Sequence, residues 1–332
     1  MTGSMPLIRL DTVNPFLMEM RRRGLDASVA LRSMELPGRT PASEDLFVAP
    51  LTVYELIERC GDLSKDPCFG YAVGAKTRPD AWSPLTAALS VSTTLGELLS
   101  RTVVNTHDYS SATHFFVNTG SARTTFGFDR AMEPAFTPSH CDAFYVGLMT
   151  RILQNALGDK WSAHEVLFHV CDPSAVPRTA ERLRLAKADR LGVKMSFPSA
   201  WLFEQLSFSG VKSNETDAPV DAMPDSLVEA MRIALRPHVH KPDLSADVAA
   251  KLCGYNRRRL SKDLLGKGTS ISRQIALLRA DVAKGLLADS DERVADIAES
   301  VGYLDATVFS RAFKKWTGQS PKEYRQSHRL SA

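Results

Sequence analysis

The stretch Val294-Ala-Asp-Ile-Ala-Glu-Ser-Val-Gly-Tyr303, continued by Phe309-Ser-Arg-Ala-Phe-Lys-Lys-Trp-Thr-Gly-Gln-Ser-Pro-Lys-Glu-Tyr-Arg325, decides the fold. Ile297 and Val301 are spaced to mark the inner side of a short helix over 294–301. Gly302-Tyr303 makes a turn, and Asp305 is placed to cap the helix that follows. There Phe309, Phe313 and Trp316 form a core stripe, while Thr307, Ser310, Arg311, Lys314 and Lys315 face outward. Two short helices around a glycine turn, the second apolar inside and basic outside, make a helix-turn-helix unit.

Toward the N-terminus the same unit recurs. A helix over 244–253 carries Val248 and Leu252 on one face and ends in a Gly254-Tyr255-Asn256 turn. Asn256 caps a second helix over 257–265, with Leu260 and Leu264 inward and Arg257, Arg258, Ser261 and Lys262 outward. The two turn glycines, Gly254 and Gly302, are 48 positions apart. Between the units a longer helix over 271–287 buries Ile271, Ile275, Leu278, Val282 and Leu286. Ahead of them Leu227, Val228, Met231 and Leu235 form another apolar stripe, ended by Pro237. A connecting helix of about 17 residues spans roughly 25 Å, which lets two reading helices sit near one DNA turn apart, about 34 Å. Charge agrees with that geometry: from Lys241 onward there are 17 Lys and Arg against 11 Asp and Glu, while the first 240 residues hold 24 against 27.

These residues resemble the AraC/XylS family of regulators. The Ile-Ala pair, the Gly-aromatic turn, the Phe-Ser-Arg-Ala-Phe run and the closing Gly-x-x-Pro-x-x-Tyr-Arg all stand in order, and the likeness covers roughly 227–325. The resemblance implies an all-α C-terminal domain with two helix-turn-helix units joined by a long helix. It places base contacts on Arg258, Ser261 and Lys262 in the first unit, and on Ala306, Thr307, Ser310 and Arg311 in the second, with Arg257 and Lys314 alongside. Ala306 departs from the pattern in offering only a methyl group, which shifts the second unit toward backbone and shape readout. Val308 stands where the family often has a small polar residue.

The rest of the chain predicts an α+β domain. Phe16, Leu17 and Met20 lie at helical spacing ahead of Arg21-Arg22-Arg23, a triplet read as a solvated helix end closed by Gly24. Val53, Leu56, Ile57 and Cys60 mark another helix, and 84–101 a further one with Thr94 and Glu97 spaced as a capping box. Residues 114–118 and 123–128 form a hairpin about a Thr-Gly-Ser turn; 165–170 and 193–197 are strands, and 143–157 is a helix. The polar, Pro-bearing stretch 212–224 divides the chain into a regulatory domain over 1–222 and a DNA-binding domain over 223–332. Phe197-Pro-Ser-Ala-Trp-Leu-Phe-Glu-Gln-Leu206 after Gly192-Val193, with Ser92-Thr-Thr-Leu-Gly-Glu-Leu-Leu99, resembles an α+β regulatory domain of some AraC-type proteins. An effector pocket is expected among Tyr109, Phe115, Phe116, Phe126, Phe128 and Phe144.

Other functions find little support. Five scattered cysteines form no Cys-x-x-Cys pair, which points to reduced thiols and no metal site. His107-Asp108 and His140-Cys141-Asp142 set reactive types side by side, but adjacent strand residues point to opposite faces. There is no phosphate-cradling glycine loop and no helical His pair, so neither enzyme nor cofactor is expected. The DNA-repair methyltransferases that join an AraC-type reader to a metal-bound cysteine need a Cys cluster this chain lacks. No apolar run reaches the roughly 18–20 residues of a membrane span, and 1–10 do not read as a signal peptide, so a cytoplasmic protein is expected. The implied function is a ligand-responsive activator that binds promoter DNA as a homodimer and recruits RNA polymerase. The alternatives are a regulator without an effector, controlled by protein partners or abundance, and a repressor.

Overall fold

The computed structural model describes residues 5–34, 47–178, 182–206, 224 and 226–329. The expected dividing stretch at 212–224 lies outside the described residues except for Pro224. Internal packing groups the chain into two compact units, Pro6–Met223 in one and Pro224–Ala332 with Met1–Met5 in the other.

The first unit begins with β1 (Ile8–Arg9), α1 (Asn14–Arg22), α2 (Ala27–Ser33) and β2 (Phe47–Val48), which pairs with β1. Helices α3 (Pro50–Ser64), α4 (Phe69–Lys76), α5 (Ser83–Val91) and α6 (Leu95–Asn105) follow. Then come β3 (Thr113–Thr119), β4 (Arg123–Arg130), α7 (Ser139–Leu157), β5 (Leu167–Val170), β6 (Arg184–Lys187) and β7 (Gly192–Pro198). The five longer strands form one sheet in the order β3-β4-β7-β5-β6, antiparallel except for the β5-β6 pair. The expected α+β architecture is what forms, with two differences. The helix expected over 84–101 is broken into α5 and α6 where Thr94 accepts from the Glu97 amide (3.2 Å). Glu97 in turn accepts from the amide and hydroxyl of Thr93, one residue further back than a capping box requires. Strand β6, Arg-Leu-Ala-Lys, was not expected because it lacks an apolar alternation and takes its conformation from pairing with β5.

Helix α7 is buried along most of its length and packs against α4 at backbone contact. A Cβ on Gly70 would lie 2.0 Å from the His140 carbonyl oxygen, one on Gly74 2.1 Å from that of Phe144, and one on Gly147 2.4 Å from that of Tyr71. Glycine is required at all three positions because the obstructing atoms are main chain and cannot turn aside.

The Arg triplet ends α1 as its sequence suggests, with Arg21 and Arg22 exposed and Gly24 at a φ of 76°, but Arg22 and Arg23 are also paired. Glu19, on the same helix and nearly buried, accepts from Arg22 (2.6 Å), Arg23 (2.8 Å) and Lys76 of α4 (2.9 Å). Arg23 also lies over the Phe69 ring (4.9 Å) and pairs with Asp66 (2.8 Å). Hydrogen bonds from these cations, led by Arg22 and opposed by burial, hold the Glu19 carboxyl down at about 2.

The second unit is entirely helical among the described residues: α8 (Leu227–Leu235), α9 (Ala246–Leu252), α10 (Arg257–Leu265), α11 (Ile271–Asp289), α12 (Val294–Ser300), α13 (Ala306–Thr317) and α14 (Pro321–Arg329). Ile271, Ile275 and Leu278 are buried on α11 as expected, but further along the buried line passes to Ala283 and Leu287, leaving Val282 and Leu286 half-exposed. A stripe at 3.6 residues per turn drifts around the helix, and the small Ala283 lets α12 and α13 close in at that end.

Two outcomes follow. Gly74→Ala should destabilise the first unit by about 3 kcal/mol or more, read as a lower midpoint in urea denaturation. Glu19 is ionised well below its ordinary pKa of 4.5, so its contribution is complete above pH 4.5 and is lost as pH falls toward 2. Glu19→Gln should therefore lower stability at pH 7 and flatten the acid limb of the stability-pH profile.

Candidate nucleic-acid interface and internal cavity

The two helix-turn-helix units are built by the same hydrogen bonds. In the first turn the Gly254 amide donates to the Lys251 carbonyl (3.0 Å) and that of Tyr255 to Ala250 (2.9 Å). In the second, Gly302 donates to Glu299 (2.9 Å) and Tyr303 to Ala298 (2.9 Å). Both turn glycines have positive φ, 68° and 79°, which closes the preceding helix in the left-handed conformation. After the turns the registers part by one residue. Asn256 caps α10 by accepting from the amides of Arg258 (2.9 Å) and Arg259 (3.4 Å). Asp305 caps α13 by accepting from Thr307 (2.6 Å) and Val308 (2.9 Å), because the exposed Leu304 lengthens the second turn.

With that offset Arg258 corresponds to Thr307, Ser261 to Ser310 and Lys262 to Arg311. Leu260 and Leu264 correspond likewise to Phe309 and Phe313, and all four are fully buried. Arg258, Ser261, Lys262, Thr307, Arg311 and Lys314 are exposed. Arg257 is exposed too, but its guanidinium is held by Asp247 of α9 (2.8 and 3.0 Å). Ser310 is half-buried and donates its hydroxyl to the Ala306 carbonyl (2.7 Å). Ala306 packs against the cluster of Ile297, Val301, Phe309 and Phe313, so its methyl group faces partly inward.

In the first unit a cavity of about 100 Å³ lies between α1, α3, α7 and the sheet. Of the sequence candidates, Tyr109, Phe115, Phe128 and Phe144 are on its wall. Phe126 stands beside it, stacked on Tyr145 (6.4 Å) and tilted against Phe115 (5.7 Å). Phe116 does not belong to it. Alternation along β3 sends its side chain to the other face of the sheet, where the Lys194 ammonium lies 5.6 Å from the ring. Sequence reasoning missed Tyr54, Ile57, Cys141 and Tyr145, which helices α3 and α7 bring to the wall. The signal was present as an i, i+3, i+4 set on α7, Cys141, Phe144 and Tyr145, but it reads equally as core.

The residues His140, Cys141 and Asp142 serve the fold. The Glu58 carboxylate of α3 accepts from the His140 (2.8 Å) and Cys141 (3.2 Å) amides, occupying donors that the first turn of α7 leaves open. Burial pushes the Glu58 carboxyl up to about 7, against those two hydrogen bonds. Asp142 and Arg130 form a completely buried ion pair; Asp142 also accepts from the Cys171 amide (3.0 Å) and Arg130 lies over the rings of Tyr54 and Phe128. The His140 ring, its pKa lowered by burial, accepts from the Gly70 amide (3.3 Å). No group of His, Cys, Asp and Glu side chains fit to hold a metal exists among the described residues. No described helix is long and apolar enough to cross a membrane.

Comparison with known proteins covers both units. Residues 249–327 match the family described as a helix-turn-helix domain, and residues 24–186 the arabinose-binding N-terminal domain of the AraC transcription regulator. The HTH-type transcriptional regulator YtdP of Bacillus subtilis is 37% identical over 93 residues, 28% of this chain and 12% of that protein. The transcriptional activator NphR of a Rhodococcus species is 29% identical over 104 residues, 31% of each chain. The shared region is thus less than a third of either relative. Among solved structures, the transcriptional regulator CdpR from Pseudomonas aeruginosa aligns over 92% of this chain and 98% of its own, at 18% identity and a TM-score of 0.38. These relatives are regulators rather than enzymes, and the two matched families occur here in one polypeptide: the chain belongs to the AraC/XylS family of transcriptional regulators.

Proposed function

We propose that this chain is a sequence-specific, DNA-binding transcription regulator that reads two successive major-groove segments through α10 and α13. The observation that carries the reading is the correspondence of three positions on two similarly capped helices, all exposed but the half-buried Ser310, held to a single connecting helix. Arg258, Ser261 and Lys262 read base edges in the first segment, and Thr307, Ser310 and Arg311 in the second. Arg257 and Lys314 flank them as phosphate contacts. Ala306 contributes least, since its methyl group is partly taken up by the core. Helix α11, 19 residues and about 28 Å long, sets the separation of the two.

Residues 1–222 in this reading sense an effector and dimerise, and residues 223–332 bind promoter DNA. The internal cavity of the first unit and the family description that names arabinose both support a small-molecule effector. Activation, in this reading by recruitment of RNA polymerase, draws its support from the relative NphR, a transcriptional activator.

Binding of the full chain to a selected DNA site is the test. Affinity should fall steeply with salt, because each phosphate contact releases counterions; a flat salt profile is incompatible with the proposal. Arg258→Ala and Arg311→Ala should each cost about 1–3 kcal/mol and relax base preference at one position. Arg257→Ala should weaken all sequences alike and lower the salt slope by about one. Uniform loss in the first two variants would reassign them to phosphate.

A further inference from the structure

Two exposed apolar residues at the start of α13 contribute little to the fold. Leu304 is 88% exposed and Val308 46%, and neither belongs to the cluster around Phe309 and Phe313. Leu304 precedes the cap, a position from which a hydrophobic residue often packs onto the fourth residue of the helix. That fourth residue is Phe309, which is fully buried while Leu304 stays in solvent. Val308 is third in the helix, where a glutamate would complete a capping box and a β-branched side chain lowers helix propensity. The first unit has neither residue: Asn256 follows Tyr255 directly, and Arg259 stands where α13 has Val308.

Both residues border the side chains assigned to base reading. Residues three and four apart are neighbours on a helix, so Arg311 has Thr307 on one side and Val308 on the other. Helical side chains lean toward the N-terminus, which carries Val308 toward the end where Leu304 stands. In a helix-turn-helix this end of the second helix meets the base edges. Its amides offer no anion site, because Asp305 already accepts from those of Thr307 and Val308. Polar readers are few here: Ala306 has only a methyl group, and Ser310 has committed its proton to the Ala306 carbonyl. The methyl group that a base edge presents in the major groove is that of thymine. Exposed Leu and Val side chains gain by covering it, since apolar surface then leaves water on both sides.

We propose that Leu304 and Val308 read thymine methyl groups, so that the DNA segment under α13 is selected for thymine. The proposal rests on the DNA-reading assignment of α13 and names the base chemistry it selects. Helix α10, with Arg259 in the place of Val308, has no such preference.

The test uses the full chain and a duplex that it selects from random sequence. The α13 segment is the one in which Arg311→Ala relaxes base preference. Each thymine there is replaced in turn by deoxyuridine, which pairs alike and lacks only the methyl group. In wild type, replacement at one or two positions should weaken binding about three- to fivefold each. Leu304→Ala and Val308→Ala should weaken binding of the thymine duplex by a similar factor, and each should lose the thymine-uracil difference at one position. Both side chains are exposed and Ala is the better helix former, so the variants should melt with wild type. A selected α13 segment without thymine overturns the proposal, as does equal affinity for thymine and uracil duplexes, or a difference that survives both alanine variants. Variants that bind DNA as wild type does but fail in transcription with RNA polymerase place a protein on the patch, and overturn it too. Sequence-selective, salt-dependent binding in any of these outcomes leaves the DNA-reading assignment standing. A chain that selects no sequence removes that assignment and the proposal together.

Discussion

The backbone of α4 lies directly against the backbone of α7, and the architecture of the first unit depends on that contact. Gly70, Gly74 and Gly147 remove the side chains that would hold the two helices at an ordinary separation. Once α7 is fixed on that side, Cys141, Phe144 and Tyr145 reach the cavity. Its first turn is fixed independently, by Glu58 from α3 and by the Asp142–Arg130 pair from β4. A buried ion pair is a modest contributor to net stability, but losing either partner leaves an uncompensated charge. Its placement next to the cavity therefore keeps Tyr54 and Phe128 in position, through the guanidinium that lies over both rings.

The second unit depends on a simpler device, one turn used twice. Matching hydrogen bonds close α9 and α12, and equivalently placed side-chain oxygens, of Asn256 and Asp305, open α10 and α13. The aromatic content differs: Leu260 and Leu264 face Phe309 and Phe313 in the equivalent places, and the second core adds Tyr303, Trp316 and Tyr324 around them. Arg279 of α11 braces the second turn by donating to the Lys241 carbonyl (2.7 Å) while lying over Tyr303 (5.2 Å). The first unit thus presents more exposed cationic side chains from a smaller core, and the second fewer from a larger one.

The helical end of the chain was nearly all legible in sequence because each of its signals is local. Periodicity placed α10 and α11 from their first residues, and the caps Asn256 and Asp305 stand where a short polar side chain precedes an apolar stripe. What escaped were non-local effects. Glycines at 70, 74 and 147 look like helix breakers until a partner helix is seen against them. Glu19 looks like an ordinary surface carboxylate until Lys76 arrives from another helix. Phe116 and Phe115 cannot be assigned to faces until the register of β3 against β4 is known. The cavity wall was legible in part, Tyr109, Phe115, Phe128 and Phe144, since aromatic clustering marks a core but not a void within it.

Helix α11 has one further consequence, which concerns length rather than surface. Every residue in a helix advances the chain by about 1.5 Å and turns it by about 100°. Inserting or deleting one residue in α11 would therefore swing α12, α13 and their exposed side chains through more than a quarter of a circle relative to α10. A change of three or four residues would nearly restore the facing while displacing it by about one helical pitch. Substitutions on the exposed side of α11 are neutral to this phase, whereas its residue count is not. The number of residues between the two units is thus under tighter constraint than their identity.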